Sequence, residues 1–101
     1  VFVIEIFLPL TDNDGRPFPA HLYAAERQAL TERFGGLTIY SRAPAAGLWA
    51  QDDTVVRDDI VIFEVMADQL EASWWTQYRV HLQAAFRQDS LLIRARDTVV
   101  L

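Results

Sequence analysis

Two runs in this chain, Val1–Leu8 and Ile60–Met66, are almost wholly apolar, and each carries a single glutamate. Glu5 stands in Val-Ile-Glu-Ile-Phe and Glu64 in Ile-Phe-Glu-Val-Met. β-branched and bulky residues in runs of this length predict strands. A charge inside such a strand is costly unless it is paired or wet. Later strand-like runs supply possible partners: Arg42 follows Thr38 and Tyr40, and Arg94 and Arg96 follow Leu92. The recurrence in both halves implies a sheet with polar groups concentrated on one face.

The elements follow in order. Val1–Leu8 is the first strand, stopped by Pro9, and the turn formers Thr11-Asp-Asn-Asp-Gly-Arg-Pro17 make a loop. Helical periodicity runs from Pro19 to Phe34, with Leu22, Ala25, Ala29, Leu30 and Phe34 on one side. Glu26, Arg27, Glu32 and Arg33 make its polar side. Gly35-Gly36 ends that helix, one of the pair being expected in the left-handed region. Leu37–Arg42 alternates as a second strand. Residues 43–54, with Pro44, Gly47 and Asp52-Asp53, read as a loop containing a short hairpin with arms Leu48–Ala50 and Thr54–Arg57.

Ile60–Ala67 is the third strand. Asp68-Gln-Leu-Glu71 matches a D-x-x-E cap for a helix reaching about Gln88. Trp75, Tyr78, Leu82, Ala85 and Phe86 form its expected buried stripe, and Leu91–Val100 a fourth strand. The order β-α-β, β-α-β predicts a ferredoxin-like α+β domain over residues 1–101: a four-stranded antiparallel sheet, order 4-1-3-2, with both helices on one face. An open meander with packed helices is the alternative for this order. A length of 101 residues allows one core.

Strand parity assigns the faces. Phe2, Ile4, Ile6 and Leu8 should lie under the helices with Val61, Phe63 and Val65. Val3, Glu5, Phe7, Ile62, Glu64 and Met66 point away, as do Thr38, Tyr40 and Arg42, and Leu92, Arg94 and Arg96. In the expected order Glu5 can pair with Arg94 or Arg96, and Glu64 with Arg42 or Tyr40. So apolar a face predicts cover by a second copy, a homodimer with cross-strand ion pairs. It also predicts a polar-floored cavity between two sheets, with Tyr40, Arg42, Trp49, Glu64, Met66, Arg94 and Arg96 as the candidate ligand-binding residues. Trp49, in the longest loop, is either a lid over that face or a plug holding the loop to the domain.

Several classes are disfavoured. The net charge of −5 with no basic cluster argues against nucleic acid. The absence of cysteine removes disulfides, thiol nucleophiles and cysteine-bound zinc, and fits a cytoplasmic protein. No apolar run is long enough for a membrane span, and no signal peptide is visible. Val1 falls inside a strand pattern, so residues are expected ahead of it. Asp12 to Asp14 with Gly15 is out of register for a calcium loop, since Leu10 and His21 would occupy its first and last positions. Asp52-Asp53 and Asp58-Asp59 are turn residues. His21 and His81 lie on different helices, on the sides expected to face away from the sheet, without metal-ligand spacing, and no serine sits in a nucleophile elbow. No metal and no cofactor is expected. Of Trp74-Trp75, neighbours about 100° apart on a helix, one should be core and one rim.

Arg33-Phe-Gly-Gly-Leu-Thr38, then Gly47-Leu-Trp49 and the Glu64 strand, resembles small bacterial proteins of unknown function with a ferredoxin-like fold. At fold level the chain is also similar to dimeric α+β barrel proteins. That likeness implies either a ligand binder or a cofactor-independent isomerase or monooxygenase. The histidine-based sites of that group do not map, because no histidine falls on an expected strand. Two functions therefore stand as expectations. One is a homodimeric binder of a small anionic organic ligand over Arg42 and Arg94 or Arg96. The other is an enzyme with Glu64 as general base and Tyr40 or Arg42 polarising an oxygen. Catalysis would need Glu64 isolated in a dry pocket, and nearby arginines favour the binder.

Overall fold

The computed structural model describes residues 1–42, the side chain of Arg42 excepted, and 60–101. The elements are β1 (Phe2–Pro9), α1 (Ala20–Phe34), β2 (Thr38–Arg42), β3 (Ile60–Ala67), α2 (Ala72–Ala85) and β4 (Ile93–Asp97). All strand pairs are antiparallel and the spatial order is β2-β3-β1-β4, the expected 4-1-3-2 read from the other edge. The hairpin arms Leu48–Ala50 and Thr54–Arg57 lie outside the described residues.

The core lies between the sheet and the helices. Ile4, Ile6 and Leu8 of β1 and Val61, Phe63 and Val65 of β3 meet Leu30, Trp75, Tyr78, Leu82 and Phe86. That is the alternate set strand parity selects. Of the adjacent tryptophans, Trp75 enters the core and Trp74 stands half-buried at the rim.

Three expectations are corrected. In α1 the buried positions are Glu26 and Leu30, while Ala25 and Ala29 are exposed. The inward stripe is the i, i+4 series Leu22, Glu26, Leu30, Phe34, and bulk rather than polarity decides the rotation of the helix. The second helix starts at Ala72, not after Asp68, and no side chain caps it. Glu71 is drawn instead into an ion pair with Arg33 at 2.7 Å, and Asp68 falls in the preceding bend. The last strand is shorter than Leu91–Val100 because it pairs only with β1, from Ile6–Ile93 to Phe2–Asp97. Thr98 N–H still donates to the Val1 carbonyl at 2.8 Å, and there the edge strand runs out of partner.

Gly35 closes α1 with φ 78°, its N–H donating to the Thr31 carbonyl at 2.8 Å. In the loop after β1, Asp12 Oδ1 accepts the backbone N–H groups of Asp14 and Arg16, both at 2.9 Å. The aspartate thus turns onto its own loop. Among the described residues no helix is long and apolar enough to cross a membrane.

Candidate functional site

The helix-free face carries a connected polar cluster at its centre. Glu5 and Glu64 are cross-strand partners on β1 and β3. Two carboxylates placed opposite each other repel, so the pair requires compensation. Arg94, opposite Glu5 on β4, donates from Nε to Glu5 Oε1 at 3.0 Å. Arg96, opposite Val3, reaches diagonally to the same oxygen at 3.0 Å and comes within 4.0 Å of Glu64 Oε1. Both expected partners therefore engage Glu5.

Glu64 has a different partner set. Thr38 is its register neighbour on β2, and Tyr40 lies opposite Ile62. The Tyr40 hydroxyl crosses to Glu64 and donates to Oε2 at 3.1 Å. This bond and the negative charge of Glu64 raise the Tyr40 pKa above its ordinary value, with smaller contributions from desolvation and Glu5. Arg42 is in phase with Tyr40, but its register partner is Ile60, four residues from Glu64 along β3. Of the two partners expected for Glu64, Tyr40 makes the bond and Arg96 approaches as well, while the Arg42 side chain lies outside the described residues. Trp49 lies outside the described residues.

The two carboxylates form the floor. Their side chains are 12% and 16% exposed, against 57% and 58% for Arg94 and Arg96 above them. Arg94 also lies 4.9 Å from the Phe7 ring centroid. The face is less open than parity alone implies, because Val3 and Ile62 are buried. Met66, Leu92 and Tyr40 remain its exposed bulky side chains. A hollow of about 250 Å³ adjoins Glu64 and Met66, bounded by Gly35, Gly36 and Thr38.

A second polar cluster was missed in the sequence. Buried Glu26 of α1 accepts the Tyr78 hydroxyl of α2 at 2.9 Å, and His81 Nε2 lies 3.1 Å from its other oxygen. His81, expected on an outward side, is thus tied to the neighbouring helix. Burial, with the charge and hydrogen bond of Glu26, drives the Tyr78 pKa strongly upward. The available signal was Glu26 standing in phase with Leu22 and Leu30. Among the described residues no three His, Cys, Asp or Glu side chains are grouped to hold a metal ion.

No family model and no curated protein matches the chain. Solved structures do. A phage SAM lyase in complex with S-methyl-5′-thioadenosine superposes with a TM-score of 0.58 at 15% identity, covering 95% of this chain and 80% of that one. The phage SAM lyase in its apo state gives 0.55 at 15% identity, covering 94% and 78%. At that identity the likeness establishes a shared fold along nearly the whole chain.

Proposed function

We propose that this chain binds a small molecule of the S-adenosyl or 5′-thioadenosine class on its helix-free sheet face, with Tyr40, Glu64 and Met66 nearest the ligand. The observation that carries the reading is the Tyr40–Glu64 pair, a shielded carboxylate bonded at 3.1 Å, whose Glu64 lines a hollow at the edge of the sheet between the end of α1, β2 and β3. A few convergent polar groups within apolar walls are the usual form of a small-ligand site. The ligand class is taken from the phage SAM lyase, which shares the fold over 95% of this chain.

The charge balance refines the expectation of an anionic ligand. Arg94 and Arg96 both engage Glu5, so the two cations and two carboxylates of this cluster cancel. A neutral nucleoside thioether fits such a surface, and a sulfonium cation would face the Glu64 carboxylate favourably. The isomerase or monooxygenase alternative needs Glu64 as a free base in a dry pocket. Glu64 is instead held by Tyr40 and approached by Arg96, which supports binding as the first claim. A second copy packed on this face would close the ligand in and cover Met66 and Leu92.

Calorimetric titration with S-adenosylmethionine and with S-methyl-5′-thioadenosine tests the reading. Saturable binding is expected for both. Glu64→Gln, which keeps shape and removes charge, should weaken the sulfonium ligand by about tenfold, or ~1.4 kcal/mol, and the neutral thioether far less. Chromatography of the same incubations reads release of the thioether from the sulfonium, which would extend binding to turnover. Absence of binding by the unaltered protein at millimolar ligand overturns the proposal.

A further inference from the structure

A cleft of about 500 Å³ opens between the end of α1, the end of β3 and the first turns of α2. Phe34 and Met66 line both this cleft and the hollow beside Glu64, so the two spaces lie side by side. Its volume suits a small organic ligand, and its outer wall is aromatic. Trp74 stacks on Tyr78 with centroids 4.9 Å apart and planes 15° from parallel. The Arg33 guanidinium lies 4.1 Å from the Trp74 ring centroid. Arg33 thus covers part of the Trp74 ring.

Arg33 is weakly anchored there. Its carboxylate partner is Glu71 at 2.7 Å, but the two side chains are 38% and 63% exposed. Ion pairs in that setting contribute little and are screened by salt. A guanidinium is planar and stacks on aromatic faces and on nucleobases alike. It therefore occupies the space a flat heterocycle would take and can close over one as the second wall. Asp68, Gln69 and Glu71 at the mouth bring hydrogen-bond acceptors for a ring amino group.

The geometry points to this cleft as a nucleobase subsite: an amino-bearing planar heterocycle such as adenine inserts between Trp74 and Arg33, and the rest of the ligand runs past Met66 towards Glu64. The ligand's identity rests on the function proposed above, whereas the cleft and its stacking wall do not.

The test uses isotope-labelled protein, titrated in turn with adenosine, S-methyl-5′-thioadenosine and S-adenosylmethionine. Trp74→Phe, which preserves an aromatic wall, assigns the Trp74 indole N–H. Nuclear Overhauser effects from base protons H2 and H8 to the Trp74 ring are expected with all three ligands. Trp74→Leu should weaken each by about tenfold, and its circular dichroism shows whether the fold survives; the Overhauser contacts need no variant. Amide shifts around Glu5 and Glu64 with no contact to Trp74 overturn the subsite and leave the sheet-face reading standing. Contacts from adenosine to Trp74 with no response at Glu64 to any ligand support the subsite and overturn that reading. Silence at both places overturns both.

Discussion

Three backbone positions test the fold at the scale of single residues. Gly35 sits at φ 78°, and a β-carbon built on it meets nothing within 4 Å. Its requirement is therefore conformational. Gly35→Ala should cost about 1 kcal/mol in chemical denaturation, while Gly36→Ala, which has equal room and no positive φ, should be close to neutral. Arg87 presents the converse case. It holds φ 50° just after α2, where the Gln88 N–H reaches back to the Gln83 carbonyl at 2.9 Å. Its pairing with Asp12 is long, 3.5 Å, and its side chain is 70% exposed, so that contact is worth little. Arg87→Gly is expected to stabilise the protein by up to about 1 kcal/mol, because relief of the left-handed strain outweighs the lost ion pair. The Asp12 carboxyl is held below its ordinary 3.8 chiefly by the Arg16 N–H, with help from the Asp14 N–H and Arg87 and against desolvation. A lowered acid contributes stability that is present above the unfolded value and lost as pH falls through the folded one. Asp12→Asn should lower stability modestly above pH 3.8 and flatten the decline on its acid side, so that the two profiles converge at low pH.

Among the elements, legibility followed side-chain bulk. β1 and β3 were readable because nearly continuous runs of β-branched and bulky apolar residues favour strands, and the single glutamate in each marks which parity turns away from the helices. α2 was readable through the bulk of Trp75, Tyr78, Leu82 and Phe86. α1 was not, since alanines weigh almost nothing in a hydrophobic stripe and a glutamate looks like solvent-facing surface. A buried carboxylate becomes acceptable only when donors from another element reach it, and sequence periodicity does not contain those donors. Here they come from α2, whose Tyr78 and His81 make Glu26 a polar pin between the helices. Tyr78→Phe removes one bond to a charged acceptor and should cost about 1.5–3 kcal/mol. Glu26→Ala deserts the buried Tyr78 hydroxyl as well and should cost more; a double-mutant cycle measures the coupling. The same pin sets an alkaline limit. With the Tyr78 pKa raised far above its ordinary 10.0 in the folded chain, stability is intact below that pH and declines as pH climbs beyond it towards the folded value. Tyr78→Phe should remove that share of the alkaline loss.

For the whole molecule the governing fact is asymmetry: among the described residues two helices cover one face of the sheet and none covers the other. Parity with the expected strand order revealed which charges share the open face and the pairs Glu5–Arg94, Glu5–Arg96 and Glu64–Tyr40, but not the further approach of Arg96 to Glu64. That approach depends on the diagonal reach of Arg96, which register determines. Parity also overstated the apolar surface left bare, because long side chains on flanking strands screen the central ones, and Val3 and Ile62 are already buried. What stays uncovered is concentrated at the ends. Met66 is 47% exposed on β3, and Leu92, just ahead of β4, is 53% exposed. Met66 lies opposite Val3, while the Leu92 carbonyl accepts the Phe7 N–H, so the two residues mark opposite ends of the face. A sheet-to-sheet homodimer of ordinary size, about 800 Å² per partner, would span both. Met66→Lys and Leu92→Lys should then each weaken self-association in sedimentation velocity, with circular dichroism unchanged. A contact confined to one end would respond to only one of them. A wild-type chain that sediments as a monomer at tens of micromolar would remove the homodimer from the proposal. The ligand would then have to be held by the cluster of Tyr40, Glu64 and Met66 without a second copy to close it in.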